Sequence, residues 1–457
     1  MMLPAIAQDK NAKESKEVEK AKTITLGDKV RVAPYGFVRN YITIDSRNTY
    51  TVTGGEYNMI PYDENWNMTE AEAQATGMER TDLNVIPKAY FQALTTRFGL
   101  SLDGPVIWRA KTSGKLEGDF GGFGTNNHVL RLRQAWMKFV WCNEDGLQSE
   151  LLAGQTWHPL SGSIMPEVLG MAAGAPFRPH SRTPQIAYTM TTRNGVGFST
   201  ILLWQLQYKY NGPSNNAGGT TASLDFANRA MLPEVFLGLH YRSCDVYLQL
   251  GGDIQPIRPR NFRTTTHTDP VTGITTSYQQ KTDELFCSVT PTVYFQYAKD
   301  KFSFKSRYLF ASNTSHVNQL NGYGVTKVAD DGTWSYAPIH AHIAYADLAY
   351  GKKVRGNVFL GYMKNVGARE ELHNFGSAAV PDYYIYMKGD KNFTHLDGVW
   401  RIAPSISYNV KAFNIGLEYE ITGASYGDWN SDGSILNNSN LHTVVNHRIC
   451  ALMKYNF

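Results

Sequence analysis

From residue 30 onward, apolar and polar positions alternate in segments of roughly ten residues separated by turn-like or Gly/Asn/Ser/Thr-rich stretches. In 302–310, Phe302, Phe304, Tyr308 and Phe310 share one face, and Ser303, Lys305 and Arg307 share the other. In 412–421, Phe413, Ile415, Leu417, Tyr419 and Ile421 oppose Asn414, Gly416, Glu418 and Glu420. In 203–210, Trp204, Leu206, Tyr208 and Tyr210 oppose Gln205, Gln207 and Lys209. The chain closes on the same rhythm: Ile449, Ala451, Met453, Tyr455 and Phe457 alternate with Arg448, Cys450, Leu452, Lys454 and Asn456, and His447 is the polar exception. Side chains point to opposite faces along a strand, so each segment has one greasy and one wet face. Repeated many times, that is the pattern of a transmembrane β-barrel. A soluble sandwich of this length needs two domains, and no break in composition follows residue 30.

The connections set the strand count. Short turns are expected near 102–105, 142–146, 193–195, 242–244, 298–301, 351–353 and 409–411, several carrying the Asp-Gly or Asn-Gly pairs that tolerate positive φ. Eight longer stretches lie at 47–87, 120–127, 158–183, 211–230, 257–279, 313–339, 366–394 and 427–441. Fifteen connections join sixteen strands, with eighteen the alternative count. The fold class is therefore all-β: an antiparallel transmembrane barrel with short periplasmic turns and long external loops. Tyr210, Tyr350, Tyr408 and Phe457, near strand ends, suit an interfacial aromatic girdle.

Composition agrees and removes other classes. The 457 residues include 40 Gly, 27 Tyr, 21 Phe and 9 Trp. A mean hydropathy of −0.35 and the lack of any long apolar run speak against membrane-spanning helices. The net charge of +4, without a basic run or motif, gives no reason to expect a nucleic acid partner. No G-x-S-x-G, H-E-x-x-H or phosphate loop is present, so no enzyme and no cofactor are expected. Cys142, Cys244, Cys287 and Cys450 lack metal spacing; unpaired apolar packing is the favoured reading, with disulfides in any of three pairings the alternative. His340 and His342 share a strand face and read as polar lumen residues, not as a metal site. Ala5-Ile6-Ala7 before Gln8 reads as the remnant of a signal peptide (1–7), and 8–29 as a charged periplasmic N-terminal arm. The barrel would then occupy 30–457.

Residues 97–160 carry RFGLSLDGP, KLEGDFGG, LRLRQAWMKF and LLAGQTWHPL in that order. This order resembles the DcaP-like trimeric outer-membrane porins, over about an eighth of the chain. The resemblance implies a sixteen-stranded homotrimer in the bacterial outer membrane, with a third external loop folded into the pore. It implies passive diffusion of small hydrophilic, often anionic, solutes through a basic constriction. The partners it suggests are a second and third copy, outer-membrane lipid and lipopolysaccharide, and the barrel-assembly machinery, reached through the strand ending at Phe457. A surface-exposed adhesive or structural barrel is the alternative.

Charged groups in a narrow, low-dielectric lumen set selectivity. Alternation places Arg109, Lys111, Lys115, Glu117 and Asp119 on one face, Arg131 and Arg133 on the neighbouring strand, and Arg97 across from them. Charges on the lipid face cost ~2–4 kcal/mol at midplane, which favours the lumen. Glu117 and Asp119 can pair with Arg131 and Arg133, a bracing reading that competes with selectivity. Segment 158–183, rich in Gly and Ala, is expected to fold inward and bring Arg178, His180 and Arg182 to a cationic eyelet. Lys305 and Arg307 would supply the opposite wall.

Overall fold

The computed structural model describes residues 24–26, 30–52, 57–122, 129–162, 164–170, 172–214, 218–387 and 391–457. Sixteen antiparallel strands close a barrel in chain order. They are β1 (Val30–Asp45), β2 (Lys88–Gln92 continued by Arg97–Ile107), β3 (Ala110–Asp119), β4 (Arg131–Cys142), β5 (Gln148–Trp157), β6 (Arg182–Thr191), β7 (Val196–Leu203) and β8 (Glu234–Arg242). The second half holds β9 (Val246–Ile257), β10 (Phe286–Lys299), β11 (Phe302–Ser312), β12 (His340–Gly351), β13 (Val354–Gly367), β14 (Leu396–Val410), β15 (Phe413–Tyr426) and β16 (His442–Asn456). Seven short turns alternate with eight loops: L1 (46–87), L2 (120–130), L3 (158–181), L4 (204–233), L5 (258–285), L6 (313–339), L7 (368–395) and L8 (427–441).

Closure falls on β1, which pairs with β2 on one edge and β16 on the other. Gly36 and Phe457 exchange two backbone hydrogen bonds of 3.0 Å, and the Phe457 ring lies where a side chain on residue 36 would stand. A closed barrel leaves no unpaired strand edge, which is what a bilayer demands of backbone groups. The expectations for 1–7 and most of 8–29 fall outside the described residues; within the arm, Ile24–Leu26 forms a short strand against Val30–Val32.

The alternation does the predicted sorting on β11, β15 and β16. Ile415, Leu417 and Tyr419 are exposed while Gly416, Glu418 and Glu420 are buried. Tyr350, Tyr408 and Phe457 are exposed on the outer surface near the turn end. Four expectations are corrected. The 102–105 turn is a bulge inside β2: Pro105 has no N–H for the ladder, and the chain runs on to a hairpin at Trp108 and Arg109, both at positive φ (49° and 62°). Residues 204–209 are not barrel strand, because β7 ends at Leu203 and the chain turns into L4. Tyr210 consequently leaves the girdle and is 2% exposed, stacked on His316 at 4.8 Å. His340 and His342 face outward, against Phe310 and Tyr308, because the buried positions of β12 are Ala341, Ile343, Tyr345 and Asp347.

A dry core sits inside the barrel. Leu160, Ala175 and Phe177 of L3, Met59 and Ile60 of L1 and Val317 of L6 pack on Leu309, Ile343, Phe359, Met363 and Ala403 of the wall. Phe177 lies directly over Gly361, where an added Cβ would run into its ring. Apolar burial thus fastens three loops to one half of the inner wall. At the loop end, Phe286, Tyr323, Tyr336 and Tyr386 form an aromatic cluster with Trp334, Phe375 and Tyr384 packed against it.

Candidate functional site

β3 and β4 bring their charges together as neighbouring strands should. Arg131 makes two bonds of 2.9 Å to Asp119, and Arg133 reaches Asp119 at 2.6 Å and Glu117 at 2.9 Å. A register shift at Arg133, between Leu132 and Gln134, lets Arg131, Arg133 and Gln134 all turn inward. Arg97 lies 3.7 Å and Lys115 3.8 Å from Glu117, which also accepts from Tyr35 Oη at 3.0 Å. Arg109 is corrected: it sits in the β2–β3 hairpin at the turn end, outside the strand face it was assigned to. Lys111 follows it at the exposed start of β3.

L3 leaves β5 and bonds to side chains from the far side of the barrel. Arg307 of β11 donates to the carbonyls of Pro159 (3.2 Å) and Leu160. Lys305 of β11 reaches Met165 O (2.9 Å) and Glu167 (3.0 Å), and Arg355 of β13 also binds Glu167. Asp347 of β12 accepts Glu167 N at 3.0 Å, and Glu418 of β15 accepts Leu169 N at 2.7 Å and Gly170 N at 3.0 Å. Arg401 of β14 donates to Ala175 O (2.8 Å) and to Met59 O of L1 (2.9 Å). Lys305 and Arg307 are therefore anchors of L3, a role that strand alternation does not reveal. Burial pushes the Glu167 carboxyl up, but Arg355 and Lys305 outweigh it and hold it at about 2.

Arg178, His180 and Arg182 come together, but away from open water. They are 0%, 3% and 1% exposed, which corrects their assignment to the channel surface. The Trp157 ring organises them, with the guanidinium of Arg182 at 4.7 Å, Arg178 at 5.1 Å and Arg133 at 5.9 Å. Arg178 also donates to Gly162 O at 2.9 Å, and Arg182 is the first residue of β6 and not part of L3. Burial, then Arg182 and Arg178, holds the His180 imidazole well below its ordinary value, so it adds no charge near neutral pH.

Of the water-facing cations, Arg97 and Lys115 are expected at the constriction from the sequence, and Arg39 and Lys454 are not. Around the half-buried ring of Phe37 lie Lys454 Nζ (4.5 Å), Arg97 (4.9 Å) and Arg39 (5.1 Å). Lys115 lies 5.0 Å from the Tyr35 ring on the same wall. Arg39 is directly opposite Lys454 across the β1–β16 closure. Among the described residues neither forms an ion pair with a carboxylate; Arg39 instead donates to Thr95 Oγ1 at 3.0 Å. The alternation of the last strand marks Lys454 as inward, whereas Arg39 shares its face with Phe37 and Tyr41 and FVRNY gives no such signal. Only closure makes them neighbours.

No protein-family model matches the sequence, and no curated protein matches it. Solved structures do. The outer membrane channel DcaP of Acinetobacter baumannii is similar with a TM-score of 0.60 at 14% identity, covering 95% of this chain and 99% of that one. OmpT of Vibrio cholerae (TM-score 0.47, 11% identity, 95% and 100% covered) and an anion-selective porin from Comamonas acidovorans (0.46, 8%, 94% and 100%) are more distant. At these identities the likeness is one of fold: the sixteen-stranded barrel of outer-membrane channels.

Proposed function

We propose that this outer-membrane β-barrel is a passive diffusion channel for small hydrophilic solutes with a preference for anions. The observation that carries the reading is the group of Arg39, Arg97, Lys115 and Lys454 on the adjoining strands β1, β2, β3 and β16, with Glu117, among the described residues, the one carboxylate paired with any of them. Like charges held close together on a low-dielectric wall raise the local concentration of anions and lower that of cations. The buried guanidiniums of Arg178 and Arg182 add to its field, while those of Arg131 and Arg133 are offset by Asp119 and Glu117. In this reading L3 narrows the lumen, and the solute passes between it and the basic wall down its gradient, without tight binding.

The barrel is further proposed to work as a homotrimer, with outer-membrane lipid and lipopolysaccharide around it and insertion by the barrel-assembly machinery through β16. The test is single-channel recording in a planar bilayer under a salt gradient. Wild-type protein should conduct in groups of three steps with a reversal potential on the anion side. Arg39→Gln combined with Lys454→Gln should move that potential toward zero. An unchanged potential in the double variant removes the basic wall as the source of selectivity, and silence from folded protein removes the channel.

A further inference from the structure

The four side chains of His158, Glu234, Asp253 and His316 come from four separate parts of the chain: the first residue of L3, the first residue of β8, the middle of β9, and L6. No local motif announces them. All four are buried, at 0%, 4%, 2% and 0% exposure, and one potential ligand atom of each lies within 4.8 Å of the others. His158 Nε2 is 2.6 Å and His316 Nε2 3.1 Å from the same oxygen, Glu234 Oε1, while Tyr210 Oη donates to Oε2 at 3.2 Å. Asp253 Oδ1 is buried and meets no hydrogen-bond donor. Two carboxylates enclosed with two imidazoles are costly unless a proton or a cation joins them. Leu160 N–H donates to His158 Nδ1 at 3.2 Å, so in this arrangement that ring is neutral and cannot supply the balancing charge.

We propose that His158, Glu234, Asp253 and His316 form a binding site for one divalent transition-metal ion of the zinc class, which ties L3 and L6 to the barrel wall. The donor set of two imidazole nitrogens and two carboxylate oxygens suits Zn2+, Co2+ or Ni2+. Ca2+ and Mg2+ prefer all-oxygen shells. Small movements bring the four atoms to the ~2.0–2.2 Å that Zn2+ requires. Binding takes the ion's two positive charges against two carboxylates, and any proton held between Glu234 and Asp253 leaves to solvent. Each imidazole then carries its single proton on Nδ1. For His316, the Gln255 amide nitrogen is now 2.8 Å away; turning that amide, with the Ser288 hydroxyl and the Asn313 amide that bond its oxygen turning as well, presents a carbonyl to the proton, the outer-sphere contact that orients a ligating imidazole. His158 must turn off the Leu160 amide, so it is the ligand that moves. The site lies apart from the basic wall and is independent of the selectivity reading.

The test uses folded full-length protein in detergent, stripped with a chelator and titrated with Co2+. Wild type should take up about one ion per chain, develop the visible absorption of tetrahedral Co2+, and lose it to Zn2+. Asp253→Asn and His316→Gln, checked for folding by heat-modifiable gel mobility, should weaken binding by more than the about 10- to 100-fold that loss of an outer-sphere partner costs. Absence of the visible band in wild type, or Asp253→Asn protein that binds as wild type does, overturns the proposal. If neither variant folds, the stoichiometry and spectrum of the wild type decide.

Discussion

Arg133 and Asp119 are joined across β3 and β4 by a 2.6 Å bond, and the same carboxylate holds Arg131 through two more. Two guanidiniums thus share Asp119, and one of them reaches Glu117 as well. Such an arrangement braces the wall and tempers the field at once. Asp119→Asn keeps the shape and removes one charge, leaving the two buried cations with Glu117 alone. Breaking one side of a buried pair costs about 3–5 kcal/mol, so the unfolding midpoint should fall. The reversal potential should move further to the anion side. A lower midpoint with an unmoved potential would assign the cluster to bracing only.

The seat of L3 is tested at Gly361. Gly361→Ala puts a methyl group where the Phe177 ring now lies, and overpacking of this kind costs about 1–3 kcal/mol. Phe177 should lift, loosening L3 and raising open-channel noise. Gly356→Ala, on the same strand, meets nothing within 4 Å and serves as the control. Equal noise in both variants would show that L3 does not govern the current.

The alternation of β11, β15 and β16 was legible because lipid outside and water inside impose opposite demands on successive residues. Composition told turn from loop for the same reason. The stretch Asp103-Gly104-Pro105 has turn chemistry, but a bulge answers the missing proline N–H equally well, and only the continued pairing of Val106 and Ile107 with β3 separates the two. The phase of His340 and His342 was lost because their strand begins at a register shift beside L6, where no flanking pattern fixes the face. Arg178 and Arg182 carry charge in and beside a loop, and a loop has no alternation to say which side meets water. Trp157 decides it through contacts the sequence does not display. The grouping of Arg39 with Lys454 joins the first barrel strand to the last, and depends on closure alone.

Acid should release the Glu167 anchor of L3 late. The Glu167 carboxyl is held at about 2, below its ordinary value of 4.5. A depressed carboxylate contributes stability that is fully present above the ordinary value and is lost as pH falls through the folded one. The anchor to Arg355 and Lys305 should therefore persist from neutral pH to about 4.5 and weaken from there toward about 2. Glu167→Gln should show at neutral pH the noise that wild type shows only in strong acid. Early noise in wild type, near pH of about 5, would place the anchor elsewhere.

Selectivity and stability should respond differently to mild acid, and His180 is the reason. Its imidazole is held well below 6.5 by burial and then by Arg182 and Arg178, so the folded protein stays unprotonated there while an unfolded chain takes up a proton. Stability from this residue is present above about 6.5 and declines as pH falls below it, with a slope of at most about 1.4 kcal/mol per pH unit. The channel's charge does not change in the same window on account of His180. Reversal potential recorded from about pH 7.5 to about 5.5 should be flat with respect to this residue, and His180→Gln should leave it unchanged while flattening part of the stability slope. A reversal potential that moves toward anions on acidification in wild type, but not in His180→Gln, would mean that the imidazole charges and faces the solute path. Phe37 and its three cations would then share the selectivity with the Trp157 cluster instead of setting it alone.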